Sequence, residues 1–233
     1  MKNIAAICFD LDDTLWDLAP VIPRAEEALF DWYEQHYPRV TGLYSPEQIV
    51  RLRQDVARRF PELIHDLTEL RLRTLRTVAK EAGYPEDMAA EAFAVFQEAR
   101  NQVDLFADVL PGISRLGERF RIVTLSNGNA DLAAIGIRGL FEAAFSAREI
   151  GFAKPDIRIF QTVCERLELS PDAVAHVGDH PENDIVAARQ AGMHTVWVNR
   201  KNSAWPSAHD DPDHVVSCLE ELADLFDSQA ESA

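Results

Sequence analysis

The sequence is poor in cysteine, in basic residues and in long apolar runs, and each shortage excludes a class of protein. The three cysteines, at positions 8, 164 and 218, are odd in number and far apart. This spacing excludes a disulfide framework and a cysteine-rich zinc site, so we expect reduced thiols. Lysine and arginine total 23 against 39 acidic residues, a net charge of −16. Such a chain repels nucleic acids and anionic membranes, and we expect neither as a partner.

The longest apolar runs are far below the roughly 18 residues of a membrane-spanning helix. Residues 4–9 form an apolar run, but it is too short for a secretory signal and acidic residues follow it at once. We therefore expect a cytoplasmic protein, either a monomer or a homodimer. With 233 residues, 47% of them hydrophobic, the chain can bury a large core without help from disulfides or a structural metal.

Short apolar runs and amphipathic segments alternate over much of the chain. The apolar runs lie at residues 4–9, 120–125, 143–146, 173–177, 195–198 and 215–216. Continuous apolar runs are typical of strands that are buried on both faces. Amphipathic segments at residues 113–119, 130–137, 157–167 and 184–191 separate most of these runs. The alternation predicts an α/β protein with a doubly wound parallel sheet, a Rossmann-like core formed by residues 1–17 and 107–233.

Residues 18–106 interrupt this alternation with helical patterns alone. Apolar side chains recur at helical spacing in residues 22–33, 49–60, 63–82 and 88–103, and residues 45–48 form a capping box with proline at the first helical position. We expect a four-helix bundle, inserted after the first strand. At the other end of the chain, the tail from Asp210 contains no lysine or arginine, and we expect its end to be frayed.

Polar residues follow the apolar runs where a parallel sheet would bind a ligand. They are Asp10 and Asp12, then Ser126 and Asn127, then Asp179 and Asp184, and Lys154 precedes a helix nearby. Crowded carboxylates repel one another, and magnesium is a cation that oxygen ligands of this kind hold. A carboxylate in such a site can attack phosphorus. His176 and His180 flank the third acidic pair, but the surrounding oxygens favour magnesium over zinc, and we expect His176 in the core and His180 at the rim.

Four segments together resemble the motifs of the haloacid dehalogenase-like superfamily. They are residues 9–15 (Phe-Asp-Leu-Asp-Asp-Thr-Leu), residues 126–128 (Ser-Asn-Gly), Lys154-Pro155, and residues 178–184, in which four residues separate two acidic ones. The motifs appear in the family's order, each at the end of the expected element. The resemblance implies a phosphatase whose catalytic core carries residues 18–106 as a helical cap domain.

The same resemblance implies a role for each motif residue. Asp10 is the expected nucleophile, and Asp12 is the expected general acid and then general base. Magnesium is expected on the Asp10 carboxylate, the Asp12 carbonyl oxygen and the Asp179 carboxylate. Lys154 neutralises charge on the phosphoryl group and on Asp10.

Four further residues support these groups in the family's pattern. Ser126 and Asn127, with the backbone amides that follow Ser126, are expected to hold a phosphoryl oxygen. Asp184 is expected behind the metal ligands, where it ties down Lys154 or a metal-bound water. Thr14 is expected to brace the first loop through a hydrogen bond.

The sequence leaves alternatives open for both the activity and the substrate. A phosphomutase uses the same four motifs, so it stays an alternative to a phosphatase. A 2-haloacid dehalogenase is less favoured, because halide leaves without a proton and dehalogenases of the family lack the second aspartate, here Asp12. Residues 10–17, 20–33 and 64–68 resemble bacterial flavin-pathway phosphatases, whose small phosphorylated substrates include 5-amino-6-(5-phospho-D-ribitylamino)uracil and FMN. His65, Arg71 and Arg73 are then the candidates for contacting the substrate.

Overall fold

A computed structural model describes residues 3–230 of the chain, with side chains up to residue 228. The chain divides into two compact units. The first, here called the sheet unit, consists of residues up to 17, residues 104–128 and residues from 137 onward. The second, the helical unit, consists of residues 18–103 and 129–136. The helical unit thus includes residues 129–136, whereas the sequence predicts them in the core.

The sheet unit contains one parallel sheet. Its strands are β1 (Ala6–Phe9), β2 (Arg121–Ser126), β3 (Ala143–Ser146), β4 (Val174–Gly178), β5 (His194–Val198) and β6 (His214–Val216). They lie in the order β3-β2-β1-β4-β5-β6, and every neighbouring pair is parallel. This order reverses direction at β1 and β4, as in a doubly wound sheet, and the predicted fold class is confirmed.

Register brings the ends of the central strands to one edge of the sheet. Phe9, the last residue of β1, pairs with Thr124 of β2 and with Val177 of β4. Every residue of β1 is buried, in keeping with a central strand covered on both faces. The residues that follow β1 and β4 therefore lie side by side at the switch point, where open α/β sheets bind ligands.

Helices of the sheet unit follow the predicted segments, with three differences in detail. They are α6 (Val109–Gly117), α8 (Ala147–Ile150), α9 (Ile157–Leu167), α10 (Ala187–Gln190) and α11 (Leu219–Ala230), with 3₁₀ turns at Arg138–Leu140 and Pro171–Ala173. The short helix α8 was not predicted. The helix expected at residues 184–191 is instead a π-helical turn, Pro181–Val186, that leads into α10.

The third difference is α11, which occupies the acidic tail. Leu219, Leu222 and Phe226 are buried and recur at helical spacing, so one face of this helix packs while its carboxylates face outward. Arg115 on α6 forms ion pairs with Asp224 and Asp227 of α11. This helix was not predicted, because the charge pattern masks its apolar stripe, and the end of the tail, which we expect to be frayed, is not covered by the structure. The last three residues lie outside the described part of the chain.

The helical unit contains the amphipathic segments that the sequence predicts. Its helices are α1 (Val21–His36), α2 (Pro38–Leu43), α3 (Pro46–Arg59), α4 (Leu67–Glu81), α5 (Met88–Arg100) and α7 (Leu132–Ile135), with a 3₁₀ turn at Pro61–Leu63. Helix α5 packs on α1 and α4, and α4 packs on α3. Leu29, Leu75 and Phe96 are buried in the core between them. The capping box at Ser45 is present. The role of this unit as a cap stays a prediction.

Among residues 3–230, no helix has both the length and the apolar character of a membrane span.

Candidate active site

Three of the predicted acidic residues meet at the carboxyl edge of the sheet. Asp10 follows β1 directly, and its backbone N–H donates to the carbonyl oxygen of Val177 on β4, at 2.8 Å. Asp179 follows β4, and Asp184 lies in the π-helical turn after it. One carboxylate oxygen from each of the three lies within 4.8 Å of the others. The sheet topology thus brings Asp10 together with two side chains that lie more than 160 positions farther along the sequence.

Lys154 lies at the centre of this group. Its Nζ atom donates to Asp10 Oδ1 at 2.6 Å, to Asp184 Oδ1 at 2.6 Å and to the carbonyl oxygen of Leu125 at 3.1 Å. Burial alone would lower the pKa of this ammonium, but the charges of the two carboxylates outweigh burial and raise its pKa above the usual value. Lys154 therefore stays protonated and holds two acidic side chains in fixed positions.

The backbone of Lys154 is held by Asn127. The side-chain amide of Asn127 donates to the carbonyl oxygen of Lys154 and accepts from its N–H, both at 2.8 Å. Ser126, the last residue of β2, is buried, and its Oγ atom accepts from the N–H of Gly128 at 2.9 Å. The side chain of Asn127 thus positions the lysine loop, while Ser126 accepts a hydrogen bond from the Gly128 amide. The phosphate contact expected of Ser126, Asn127 and the amides after Ser126 stays a prediction.

The π-helical turn and a glycine make room for the carboxylate of Asp184. A Cβ atom on Gly178 would lie 2.4 Å from Asp184 Cγ, so only glycine fits at the end of β4. The turn begins at His180, whose backbone N–H donates to Asp184 Oδ2 at 3.0 Å and whose ring Nδ1 accepts from Asn183 N–H. Asp184 thus lies against the backbone at the end of β4.

His176, on β4, also contacts Asp184. It is fully buried, and its Nε2 atom lies 3.1 Å from Asp184 Oδ1. Burial lowers the pKa of His176, so the ring is neutral and donates from Nε2. Burial acts to raise the pKa of Asp184, but Lys154 and the His176 hydrogen bond lower it below the usual range. The expected core position of His176 agrees with the structure, while its contact with Asp184 was not predicted.

The loop after β1 holds Asp12 through a buried tryptophan. The N–H groups of Thr14 and Leu15 both donate to the carbonyl oxygen of Leu11, which closes a tight turn. Beyond that turn the indole Nε1 of Trp16 donates to Asp12 Oδ1 at 2.9 Å. Apolar residues at such positions are usually assigned to the core, and nothing in the sequence pattern distinguishes Trp16 from an ordinary core residue.

Thr14 braces the first loop through its backbone N–H and carbonyl groups and not through its hydroxyl. The hydroxyl oxygen is buried and has no hydrogen-bond partner in the described part of the chain. The backbone of Thr14 is the held part, since its carbonyl oxygen accepts from Arg200 Nε at 3.0 Å. Arg200 also forms a bidentate ion pair with Asp108, at 3.0 and 2.9 Å. A basic residue far along the chain therefore supplies the brace.

The donor set and its electrostatics fit a hard divalent cation. Burial, together with the carboxylates of Asp184 and Asp13, raises the pKa of Asp179 to about 7. Burial and the carboxylates of Asp184 and Asp179 likewise raise the pKa of Asp10, against the opposing effect of Lys154. The clustered ligand atoms are all carboxylate oxygens, the type that magnesium prefers. A cation in this cluster would relieve the repulsion that one lysine does not.

The three residues predicted to contact substrate lie in the helical unit. Arg71 is buried on α4, where its guanidinium pairs with Glu26 at 2.9 Å and lies 3.3 Å from the centre of the Phe96 ring. This geometry favours a structural role for Arg71 over the predicted substrate contact. Arg73 is a third exposed and pairs with Glu69 at 2.8 Å. His65 is half-buried in the loop before α4.

The chain is similar to known hydrolases in both sequence and structure. A model of haloacid dehalogenase-like hydrolases matches residues 4–192. The chain is 31% identical, over 206 residues, to the 5-amino-6-(5-phospho-D-ribitylamino)uracil phosphatase YigB of Escherichia coli, and the match covers 87% of this chain and 86% of that protein.

Two solved structures are also similar. A 2-haloacid dehalogenase from Pseudomonas syringae pv. tomato DC3000 is 36% identical, with a TM-score of 0.91 and coverage of 97% of this chain and 99% of that one. The Bacillus subtilis protein YfnB, whose structure holds magnesium, is 25% identical with a TM-score of 0.69, covering 97% and 100%. The family model spans both the sheet edge with its carboxylates and the helical unit, and the chain belongs to the haloacid dehalogenase-like hydrolase family.

Proposed function

We propose that this hydrolase is a phosphatase that removes phosphate from small phosphorylated metabolites through an aspartyl-phosphate on Asp10. The observation that carries the proposal is the 2.6 Å contact between Lys154 Nζ and Asp10 Oδ1 inside a cluster of carboxylates. The ammonium holds the nucleophilic carboxylate in one orientation and offsets the negative charge of an approaching phosphoryl group. Asp12, two residues farther on, supplies an acid–base group that an ester needs and an alkyl halide does not.

We propose magnesium as the cofactor, held by the carboxylates of Asp10 and Asp179 and the carbonyl oxygen of Asp12. Bound there, it would neutralise carboxylate charge and polarise the phosphoryl oxygens. Asp184 is assigned to Lys154 rather than to the metal, because Lys154, His176 and the His180 amide already occupy its two oxygens. The magnesium held by the related YfnB supports this choice of ion.

The chain's own residues carry two successive steps. In the first, an oxygen of Asp10 forms a bond to phosphorus while the bond to the ester oxygen breaks, and Asp12 gives a proton to that leaving oxygen. In the second, the ionised Asp12 takes a proton from water as the water oxygen attacks phosphorus, and the bond from phosphorus to Asp10 breaks. Lys154 stays protonated throughout, and Ser126 is placed to hold a phosphoryl oxygen.

For the substrate, we propose 5-amino-6-(5-phospho-D-ribitylamino)uracil or FMN, which would place the enzyme in riboflavin biosynthesis. The proposal is supported by the similarity to the phosphatase YigB, which is 31% identical over most of both chains. We further propose that Arg73 and His65 of the helical unit contribute to the ranking of substrates, since both keep partial exposure.

A dehalogenase is the second candidate, because a related structure of that name is 36% identical over nearly the whole chain. Two features of this chain disfavour it. The carboxylate of Asp12 has no role in halide departure, and the cluster of Asp10, Asp179 and Asp184 could hold a cation, which carbon–halogen cleavage does not use. A phosphomutase on the same scaffold stays the alternative within phosphoryl transfer.

One assay separates these activities. The purified protein is offered a panel of phosphorylated metabolites, a sugar bisphosphate with its monophosphate acceptor, and (S)- and (R)-2-haloacids, each with magnesium and with excess chelator. We expect phosphate release that magnesium supports and chelator abolishes, with no halide release. Halide release that is indifferent to chelator would overturn the proposal in favour of a dehalogenase. Phosphoryl transfer to the acceptor without phosphate release would favour a mutase.

A further inference from the structure

The buried indole of Trp16 makes a polar contact that the reaction scheme above does not use. Trp16 has no exposed surface and is the largest fully buried side chain among the described residues. Its Nε1–H donates to Oδ1 of Asp12 at 2.9 Å. A buried indole N–H needs a hydrogen-bond partner, and most such partners are backbone carbonyls or waters. Here the partner is the side chain that we assign to proton transfer.

The backbone around Trp16 fixes the position of that N–H. Trp16 forms an antiparallel bridge with Leu105 and a parallel bridge with Asp12. The carbonyl oxygen of Leu15, one residue earlier, accepts from the N–H of Phe106 at 3.0 Å. The chain is thus held on both sides of the indole, and the ring itself is immobilised by burial.

A second anchor comes from Arg200, which lies beyond β5. Its guanidinium donates to the carbonyl oxygen of Thr14 at 3.0 Å, pairs with both oxygens of Asp108 and lies 4.0 Å from the centre of the Phe106 ring. Asp108 in turn accepts from the N–H of Leu219 at the start of α11. The turn that carries Asp12 and Trp16 is therefore tied to three other segments of the sheet unit.

The two partners differ in how firmly they are held. Asp12 is half-buried and carries a short side chain with two rotatable bonds, whereas the indole is enclosed on all sides. In such a pair the fixed donor determines where the carboxylate lies. A catalytic carboxyl group displaced by about 1 Å loses much of its effect, so the direction set by the indole has consequences for rate.

We propose that Trp16 is a positioning residue that orients the carboxylate of Asp12 for proton transfer. The proposal rests on the proposed function, because it takes Asp12 as the acid–base group. An indole N–H can only donate, so Oδ1 of Asp12 remains an accepting oxygen. The proton that passes to the ester oxygen is then carried on Oδ2. It moves as the bond between phosphorus and the ester oxygen breaks, and the bonding electrons stay with that oxygen.

The test removes the donor and keeps the ring. Trp16 is replaced by benzothienylalanine, in which sulfur stands in place of the indole N–H, and Trp16→Phe is made as a simpler second variant. Rapid-quench kinetics measure the first step for aryl and alkyl phosphates that differ in the acidity of the leaving alcohol. We expect about a tenfold loss with alkyl esters and less than about a threefold loss with activated aryl esters, part of the 10²–10⁴ typical of acid–base catalysis. In the Trp16 variants, the rate of the first step should then depend more steeply on the acidity of the leaving alcohol than it does in the natural enzyme.

The control is the same replacement at Trp205, whose indole N–H donates to the carbonyl oxygen of His209 at 3.2 Å. We expect this variant to keep the natural dependence on leaving group. An equal loss on all esters in the Trp16 variant, or none, would overturn the proposal and leave Trp16 as a core residue.

Asp12→Asn separates failure of this proposal from failure of the proposed function. If Asp12→Asn steepens the leaving-group dependence and the Trp16 replacement does not, only the positioning role fails. If Asp12→Asn itself leaves the dependence unchanged, the acid–base role of Asp12 fails and the positioning role falls with it. In the Asp12→Asn background, the Trp16 replacement is expected to add no further leaving-group effect.

Discussion

Removal of the buried ammonium of Lys154 is expected to destabilise the metal-free sheet unit strongly. The side chain is 3% exposed and lies 2.6 Å from a carboxylate oxygen of Asp10 and from one of Asp184. Lys154→Met keeps an unbranched apolar stem of nearly the same length but removes the terminal ammonium and its charge. Two carboxylates then remain buried without the cation that lies between them, and burial of an uncompensated charge is costly.

The size of the effect can be worked from the geometry. The nearest oxygens of Asp10 and Asp184 are at most 4.8 Å apart, so the repulsion between the two ionised carboxylates is at least about 3.5 kcal/mol at an effective dielectric constant of about 20. Breaking one side of a buried ion pair typically costs about 3–5 kcal/mol. We therefore expect Lys154→Met to lower the free energy of unfolding by about 3–5 kcal/mol at pH 8 in chelator.

The loss is expected to shrink as the pH falls. Without Lys154, the folded-state pKa of the carboxylate pair rises above its unfolded value, so the folded variant binds more protons than the unfolded chain in that interval. Its stability then increases as the pH falls from 8 to 5, relative to the natural protein.

The assay is urea-induced unfolding, followed by tryptophan fluorescence at pH 5 and pH 8. Lys201→Met is the matched control, because Lys201 is 68% exposed and pairs with Asp13 at 3.2 Å, so we expect a change of less than about 1 kcal/mol. A loss for Lys154→Met that equals that of the control, or that does not vary with pH, would refute the reasoning.

Three further predictions follow from the same geometry. Gly178→Ala places a Cβ atom 2.4 Å from Asp184 Cγ and should lower the free energy of unfolding by about 1–3 kcal/mol. Gly139→Ala is the control for the same urea titration, because a Cβ atom there would have no neighbour within 4 Å, and we expect no change in stability. Magnesium affinity, measured by calorimetry, should fall by up to about tenfold per pH unit below pH 7, because Asp179, with its pKa of about 7, must lose a proton to bind the ion. The Asp179→Asn variant should bind magnesium weakly and without this pH dependence. Arg71→Met should destabilise the helical unit and lower kcat/KM by the same factor for all substrates, whereas Arg73→Ala should alter the ranking of substrates. If Arg71→Met altered the ranking without changing the stability, Arg71 would again be a candidate substrate contact.

Much of the fold could be predicted from local patterns alone. Buried parallel strands appear as short continuous apolar runs, and all six runs became strands of one sheet. The convergence of Asp10 and Asp179 could be predicted because each follows an apolar run and ligands bind at the carboxyl ends of parallel strands, but the order of the strands could not. Helix α11 was missed because carboxylates dominate its composition, although Leu219, Leu222 and Phe226 carry the helical spacing.

The contact of Asp184 with Lys154 was implied by the resemblance, but the other contacts behind the site could not be predicted, because they depend on side chains from distant segments. Trp16 and His176 look like ordinary core residues in sequence, and their polar contacts with Asp12 and Asp184 exist only once the turns are formed. The side-chain amide of Asn127 holds the backbone of Lys154, a partner 27 residues away that the sequence did not indicate. Gly178 is the one position where a sequence signal existed, since glycine before an acidic residue at a strand end often marks a close approach.

The central claim is that Asp10 accepts the phosphoryl group, and it is tested most directly by trapping that intermediate. The protein is mixed with magnesium and a phosphate ester that it turns over, quenched in acid within milliseconds, and digested for mass spectrometry. We predict that the peptide containing Asp10 gains the mass of one phosphoryl group, at a rate no slower than turnover, and that Asp10→Asn gains none. Turnover without a phosphorylated Asp10, or with the phosphoryl group on another residue, would contradict the account.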